Sequence, residues 1–163
     1  MRNIKKNFNL GLTLVEVLIA ASIILIFLLA LFGVNSLYLK TAFSSGEVIK
    51  ATMLAEESLE VVRFLRNSSW NVNIEPLSLD TDYFLTFTSG SWGVSTTNIF
   101  LDNLFERKLR LSSVYRDVNG DIVSSNGTLD PNTLLVVSSV SWQVGEATTT
   151  RSISTYITDL YDN

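Results

Sequence analysis

The chain has 163 residues and a net charge of −4, and it contains no cysteine and no histidine. These absences exclude disulfide bonds and remove the thiolate and imidazole groups that most metal sites and nucleophilic catalysts use. Residues 1–11 carry three basic side chains and no acid, so residues 12–163 carry a net charge of −7 and give no strong signal for nucleic-acid binding, which needs clustered Lys and Arg.

The first predicted element is a membrane-spanning helix. The eighteen residues from Val17 to Val34 contain no charge and one polar side chain, Ser22. A helix of about 20 apolar residues crosses the hydrocarbon core of a bilayer. Because basic residues before a span stay in the cytoplasm, the charge of residues 1–11 predicts that everything after the span lies outside.

One carboxylate, Glu16, borders this apolar run. A charged side chain at the bilayer centre costs about 2.5–3.5 kcal/mol on insertion scales, and less near the ends of the span. The helix dipole favours an acid at a helix N-terminus by about 0.3–1 kcal/mol, but it does not explain why an acid borders a membrane span. We therefore expect Glu16 to have a partner.

The residues around Glu16 resemble the class III signal peptide of type IV pilins and type II secretion pseudopilins. That family has a short basic leader, a Gly, a hydrophobic residue, Thr, Leu, any residue and Glu. The matching residues here are Arg2, Lys5, Lys6 and Gly11-Leu12-Thr13-Leu14-Val15-Glu16. The resemblance implies cleavage between Gly11 and Leu12 by a prepilin peptidase, with N-methylation of Leu12, and it implies that Thr13 and Glu16 act in processing and assembly.

Cleavage would give Leu12 a free α-amine, whose reference pKa is about 7.7–8.0. In a bundle of such helices, Glu16 of one subunit can lie beside the Leu12 amine of a neighbour, and each charge then offsets the desolvation of the other. The resemblance thus implies three kinds of partner: a prepilin peptidase, other pilin or pseudopilin subunits, and an inner-membrane assembly platform.

The helix is predicted to continue as an amphipathic half. Apolar residues at helical spacing form one stripe, which consists of Val48, Ala51, Ala55, Leu59, Val62 and Leu65, widened by Leu54 and Val61. Glu47–Lys50 and Glu60–Arg63 have the spacing of helical ion pairs. Gly33 is a candidate for local bending or melting, and residues 44–46 for a kink. The segment 67–69 is predicted to end the helix.

A continuous helix from Leu12 to about Arg66 would be roughly 80 Å long at 1.5 Å per residue. A small soluble domain does not need a helix of this length, whereas a filament built by stacking helices does. Residues 70–103, in contrast, are predicted to be a long loop with one strand near residues 83–88.

Residues 105–160 are predicted to form an antiparallel sheet. In the first strand an apolar face of Phe105, Leu109, Leu111 and Tyr115 alternates with a polar face of Glu106, Lys108, Arg110 and Arg116. The Asn119-Gly120 pair indicates a type I′ hairpin turn, which requires positive φ at both residues. Gly127 with residues 130–132, and residues 145–147, are predicted to form the other connections.

Two features of this sheet are candidate binding sites. Asp117, Asn119 and Asp121 alternate as calcium ligands do, although the glycine comes earlier than in an EF-hand loop; a plain hairpin turn is the favoured interpretation. Lys108, Arg110 and Arg116 are a candidate contact patch, for which a solvated strand face is favoured. No cofactor is predicted and enzymatic activity is not expected.

These observations predict an α+β, pilin-like fold with four parts. They are a cleaved cytoplasmic leader (1–11), the transmembrane and assembly half of the helix (12–39), its amphipathic half (40–69) and an extracytoplasmic β-rich domain (70–163).

The predicted function is that of a structural subunit, a minor pilin or pseudopilin, that moves from the inner membrane into a type IV pilus or a type II secretion pseudopilus. The lack of a disulfide-closed C-terminal loop favours a minor subunit. The alternatives are an uncleaved, signal-anchored extracytoplasmic binding module that does not polymerise, and a secreted β-domain with an ordinary signal peptide.

Overall fold

The computed structural model describes residues 13–160. The chain divides into a first unit that ends at Phe43 and a second unit that begins at Ser44. In the described range there are two helices, α1 (Leu14–Ser68) and α2 (Trp70–Asn73), and the strands β1 (Asp82–Thr88), β2 (Ser91–Ser95), β3 (Phe100–Leu101), β4 (Phe105–Arg116), β5 (Ile122–Val123), β6 (Thr128–Val144) and β7 (Ala147–Thr158).

Helix α1 confirms the predicted long helix and its end near residues 67–69. The helix continues through Gly33, so the local melting considered there does not occur. Apart from the neighbouring residues and the nearby backbone of its own helix, no atom lies within 4 Å of the position that a Cβ of Gly33 would take. The Ser44-Ser45-Gly46 segment is helical as well.

The second unit is built on an antiparallel sheet with the strand order β2-β1-β4-β6-β7, and the short strands β3 and β5 also pair with β4. Its longest ladder joins β6 to β7, from the pair Thr133–Thr158 to the pair Val144–Ala147. Together with the part of α1 that follows Ser44, this sheet confirms the predicted α+β class.

The buried face of α1 packs on this sheet. The buried helix residues are Ala51, Ala55, Ser58, Leu59, Val61, Val62 and Leu65, which confirms the predicted stripe. The two alanines share a cluster with Phe105, Val140 and Trp142, and the larger helix residues share one with Leu109, Leu111, Val136 and Ile157. Burial of this apolar surface, at about 25 cal/mol per Å², is the main attraction between helix and sheet.

Residues 70–103 correct the prediction of a long loop with one strand. The predicted strand is present as β1, but β2 pairs with it across the two-residue turn Ser89-Gly90. Both turn residues have positive φ, 54° and 83°, as a type I′ turn requires. The segment in and around β2 is rich in Ser and Gly, as loops are. For this reason its sequence did not predict a hairpin.

The outer end of β4 also corrects a prediction. Val114 is 3% exposed, whereas Tyr115, which was assigned to the apolar face, is 43% exposed. The register of β4 against β6 shifts between Ser113 and Val114, and this irregularity changes which residues face the core. Residues 131–133 of β6 have no partner in β4 at this irregularity. The segment 130–132, which was predicted to be a connection, therefore lies inside β6.

Polar contacts add to the attachment of α1 to the sheet. Trp142 Nε1 donates to the Glu47 carboxylate at 3.1 Å, and Lys50 pairs with Asp102. The predicted Glu47–Lys50 pair is therefore wrong, because Glu47 reaches β6 and Lys50 reaches the turn between β3 and β4. The predicted pair between Glu60 and Arg63 is confirmed.

Arg107 is a buried cation of β4 that the sequence analysis did not identify. It is 5% exposed, and its guanidinium donates to Glu57 of α1 at 2.6 Å. A buried charge requires such a partner, since an unpaired one loses its hydration without compensation. Glu57 thus links α1 to the centre of the sheet.

The other basic side chains of β4 are also paired with acids. The pairs are Lys108–Glu106 at 3.0 Å, Arg110–Asp82 at 2.6 Å and Arg116–Asp130 at 2.6 Å. The proposed basic contact patch is therefore neutralised within the second unit. The hydrogen bond from the Arg116 guanidinium holds the pKa of Asp130 below its usual value.

We predict that Glu57→Gln lowers the free energy of unfolding by about 1–3 kcal/mol, because it leaves the Arg107 guanidinium buried without a counter-charge. The measurement is urea unfolding of the full chain in detergent, followed by fluorescence of Trp70, Trp92 and Trp142, which all lie in the second unit. The matched control is Glu56→Gln, one residue away and exposed, which should leave the unfolding curve unchanged. Equal curves for both variants would contradict the role of Glu57.

A second prediction concerns Asp130. Because its pKa is lowered in the folded chain, its carboxylate stabilises the fold at pH values above its unfolded pKa of about 3.9, and this contribution disappears as the pH falls through the lower folded value. Asp130→Asn should therefore be less stable than the parent chain at pH 7, and the difference should shrink below about pH 4. Thermal unfolding from pH 7 to pH 2.5 measures it. A difference that does not change with pH would contradict the prediction.

Candidate functional site

The start of α1 brings together two of the residues that the sequence assigned to processing and assembly. Thr13 immediately precedes the helix. Its Oγ1 accepts the backbone N–H of Glu16 at 3.3 Å, and its carbonyl accepts the N–H of Val17 at 3.2 Å. A Thr followed three positions later by Glu is the spacing of a capping box. The other two residues, Gly11 and Leu12, lie outside the described part of the chain, so their assignment stays a prediction.

The spacing of Thr13 and Glu16 therefore has a local physical reason. The first N–H groups of a helix have no partner inside the helix, and in a membrane an unsatisfied group costs several kcal/mol. The Thr13 side chain satisfies one of them. Glu16 also lies in the first turn of α1, where the helix dipole favours a negative charge.

The surface that follows Glu16 is apolar on every side. One window of eighteen residues in α1 has a mean hydropathy of 3.1, and none of it is buried. Its one hydroxyl, that of Ser22, donates to the carbonyl of Leu18 at 2.7 Å. By length and composition this helix can cross a membrane.

Glu16 makes no ion pair within residues 13–160. Its carboxylate is exposed beside an exposed apolar helix. In water this arrangement costs little, whereas in a bilayer or a helix bundle the carboxylate loses its hydration. The described residues contribute no positive charge that would offset this loss of hydration.

The candidate calcium ligands Asp117, Asn119 and Asp121 lie in the turn between β4 and β5. Asp117 Oδ1 accepts the backbone N–H groups of Asn119 at 2.9 Å and of Asp121 at 3.0 Å. These bonds, above all the one from Asp121, lower the pKa of the Asp117 carboxyl. The carboxylate therefore stabilises the turn, as the plain hairpin interpretation expects. Residues 13–160 contain no group of three His, Cys, Asp or Glu side chains that could hold a metal ion.

The hairpin predicted at Asn119-Gly120 is present, since Arg116 pairs with Ile122, but the predicted type I′ turn is wrong. Gly120 has a φ of 88°, whereas Asn119 does not have positive φ. The Gly120 N–H donates to the Asp117 carbonyl at 3.1 Å. The turn is thus centred one residue earlier, on Val118-Asn119, with Gly120 as the left-handed residue that follows.

A model of the prokaryotic N-terminal methylation motif matches residues 6–32 of this chain. The match includes Thr13, Glu16 and most of the exposed apolar helix. No significant match was found among curated proteins or solved structures.

Proposed function

We propose that this chain, which carries at residues 6–32 the N-terminal methylation motif characteristic of type IV pilins and pseudopilins, is a minor-pilin-like structural subunit. In this proposal a prepilin peptidase processes it, and it assembles through α1 into a type IV pilus or a type II secretion pseudopilus. The observation that carries the proposal is the capped apolar helix, exposed on every side, with Glu16 at its start and no partner for Glu16 in the described chain.

Processing is the first step of the proposal. The motif match supports a cut in the segment just before α1, between Gly11 and Leu12, with methylation of the new Leu12 amine. The Thr13 cap supports this position, because it fixes the start of α1 at Leu14, two residues after the proposed cut. Cleavage would remove the basic leader, residues 1–11.

The location follows from the same residues. The apolar half of α1, proposed to extend from residue 12 to 39, anchors the protein in the inner membrane. The basic leader keeps the N-terminal end in the cytoplasm. The amphipathic half, 40–69, and the β-rich domain, 70–163, then lie outside the membrane, and the sheet covers one face of the helix there.

Assembly is proposed to satisfy Glu16. In a bundle of processed subunits, the Leu12 amine of one copy lies beside the Glu16 carboxylate of its neighbour, and both charges are neutralised where neither can reach water. An assembly step out of register leaves both charges unpaired, at a typical cost of about 3–5 kcal/mol. The pair therefore selects the register of the growing filament.

We predict that the protein isolated from membranes of cells with a prepilin peptidase starts at Leu12 and carries an N-methyl group. Intact-mass spectrometry and N-terminal sequencing measure this directly. In cells without the peptidase, the chain should still start at Met1. A mature membrane form that keeps residues 1–11 in the presence of the peptidase would support a signal-anchored binding module instead, and a soluble form without residues 12–34 would support an ordinary secreted domain.

The variant Glu16→Lys separates processing from assembly in the same preparation. The substitution leaves the second unit untouched, so export and folding should persist, while two like charges at the bundle contact should prevent incorporation into filaments. Normal filaments from Glu16→Lys would remove the proposed role of this carboxylate.

A further inference from the structure

The charged side chains of α1 fall into two groups. Six have polar partners within the described chain: Glu47, Lys50, Glu57, Glu60, Arg63 and Arg66. Three have no polar contact among residues 13–160: Glu16, Lys40 and Glu56. The proposed function gives Glu16 the Leu12 amine of a neighbouring copy. It gives no partner to Lys40 or Glu56, which are of opposite sign.

Both charges lie among exposed apolar side chains. Lys40 is flanked at helical spacing by Leu37 and Phe43, and Glu56 follows Ile49 and Met53 on the solvent-exposed side of α1. These four apolar residues are 61–71% exposed. Neighbours three, four or seven positions apart lie on one side of a helix. Each charge thus belongs to an apolar strip that the chain itself leaves uncovered.

Lys40 and Glu56 are sixteen positions apart in the sequence, and the described residues give neither of them an ion-pair partner. They can pair between two copies whose helices run side by side with an axial offset. The apolar flanks would then cover each other, while the ammonium and the carboxylate meet. Polarity and charge sign agree for this one occupant, a second copy of the chain.

We propose that Lys40 of one copy forms an interhelical ion pair with Glu56 of a neighbouring copy in the assembled filament. This inference rests on the proposed function, because it requires assembly through α1. Burial of the apolar flanks desolvates both charges, so a misaligned neighbour leaves two buried charges without partners. The pair adds a second register contact, at positions 24 and 40 residues after Glu16, in the same way that polar residues specify register in coiled coils.

Before assembly the two charges remain hydrated. Lys40 follows the apolar half of α1, where a long side chain can place its ammonium among lipid headgroups. Glu56 faces solvent in the second unit. The single subunit is therefore stable without the pair, and the pair forms only between assembled copies.

The test is a charge exchange in the full-length chain, expressed with its peptidase and assembly machinery. Lys40→Glu and Glu56→Lys should each lower the amount of subunit in sheared filaments by at least about tenfold, because like charges then meet at the contact. The double exchange, which keeps the composition and the net charge of the chain, should restore at least half of the parent amount. The matched control combines Lys40→Glu with Glu60→Lys, since Glu60 already pairs with Arg63 on its own helix; this control should not restore assembly.

Cross-linking locates the contact directly. The chain has no cysteine, so co-expressed Lys40→Cys and Glu56→Cys subunits carry the only thiols, and a short bis-maleimide should join them into dimers in filaments but not in detergent-dispersed membranes. Single variants that assemble like the parent, or a double exchange as defective as the single ones, would overturn the pair and leave the proposed function intact. A parent chain that is never processed or incorporated would overturn both.

Discussion

The structure depends on the energetic cost of one carboxylate beside an apolar helix. Glu16 begins a surface that the described chain leaves uncovered on every side, and no ion pair within residues 13–160 neutralises it. The Thr13 cap and the helix dipole stabilise the first turn, but they do not replace the hydration that a carboxylate loses in a bilayer or a bundle. In the proposed assembly, a second copy of the chain supplies the positive charge that offsets this loss.

The two halves of α1 differ in how their apolar surface is covered and how their charges are paired. In the second unit the sheet covers one helix face with apolar side chains, and it supplies partners for Glu47, Lys50 and Glu57. In the first unit the apolar surface of α1 is exposed. The sheet packs on the half of the helix in the second unit, and assembly is proposed to cover the other half.

The sequence predicted those features that local chemistry determines. The apolar run, the Thr13–Glu16 spacing and the 3.6-residue stripe specify the helix and its buried face. Long-range contacts were not predictable: Arg107 reaches Glu57 across 50 positions of the sequence, and Trp142 reaches Glu47 across 95. The β1–β2 hairpin was not predicted because its residues are typical of loops. Tyr115 was assigned to the buried face, but the register shift in β4 leaves it exposed. Among the site residues, Thr13 and Glu16 were found by spacing, whereas Glu56 is distinguished from Glu57 and Glu60 only because those two have ion-pair partners.

The most direct test is a structure of the assembled filament in which the N-terminus of each subunit is visible. The account predicts that the α-amine of Leu12 in one copy lies within about 4 Å of the Glu16 carboxylate of an adjacent copy, the distance of an ion pair. A filament in which every Glu16 faces lipid or solvent, or pairs within its own chain, would contradict it.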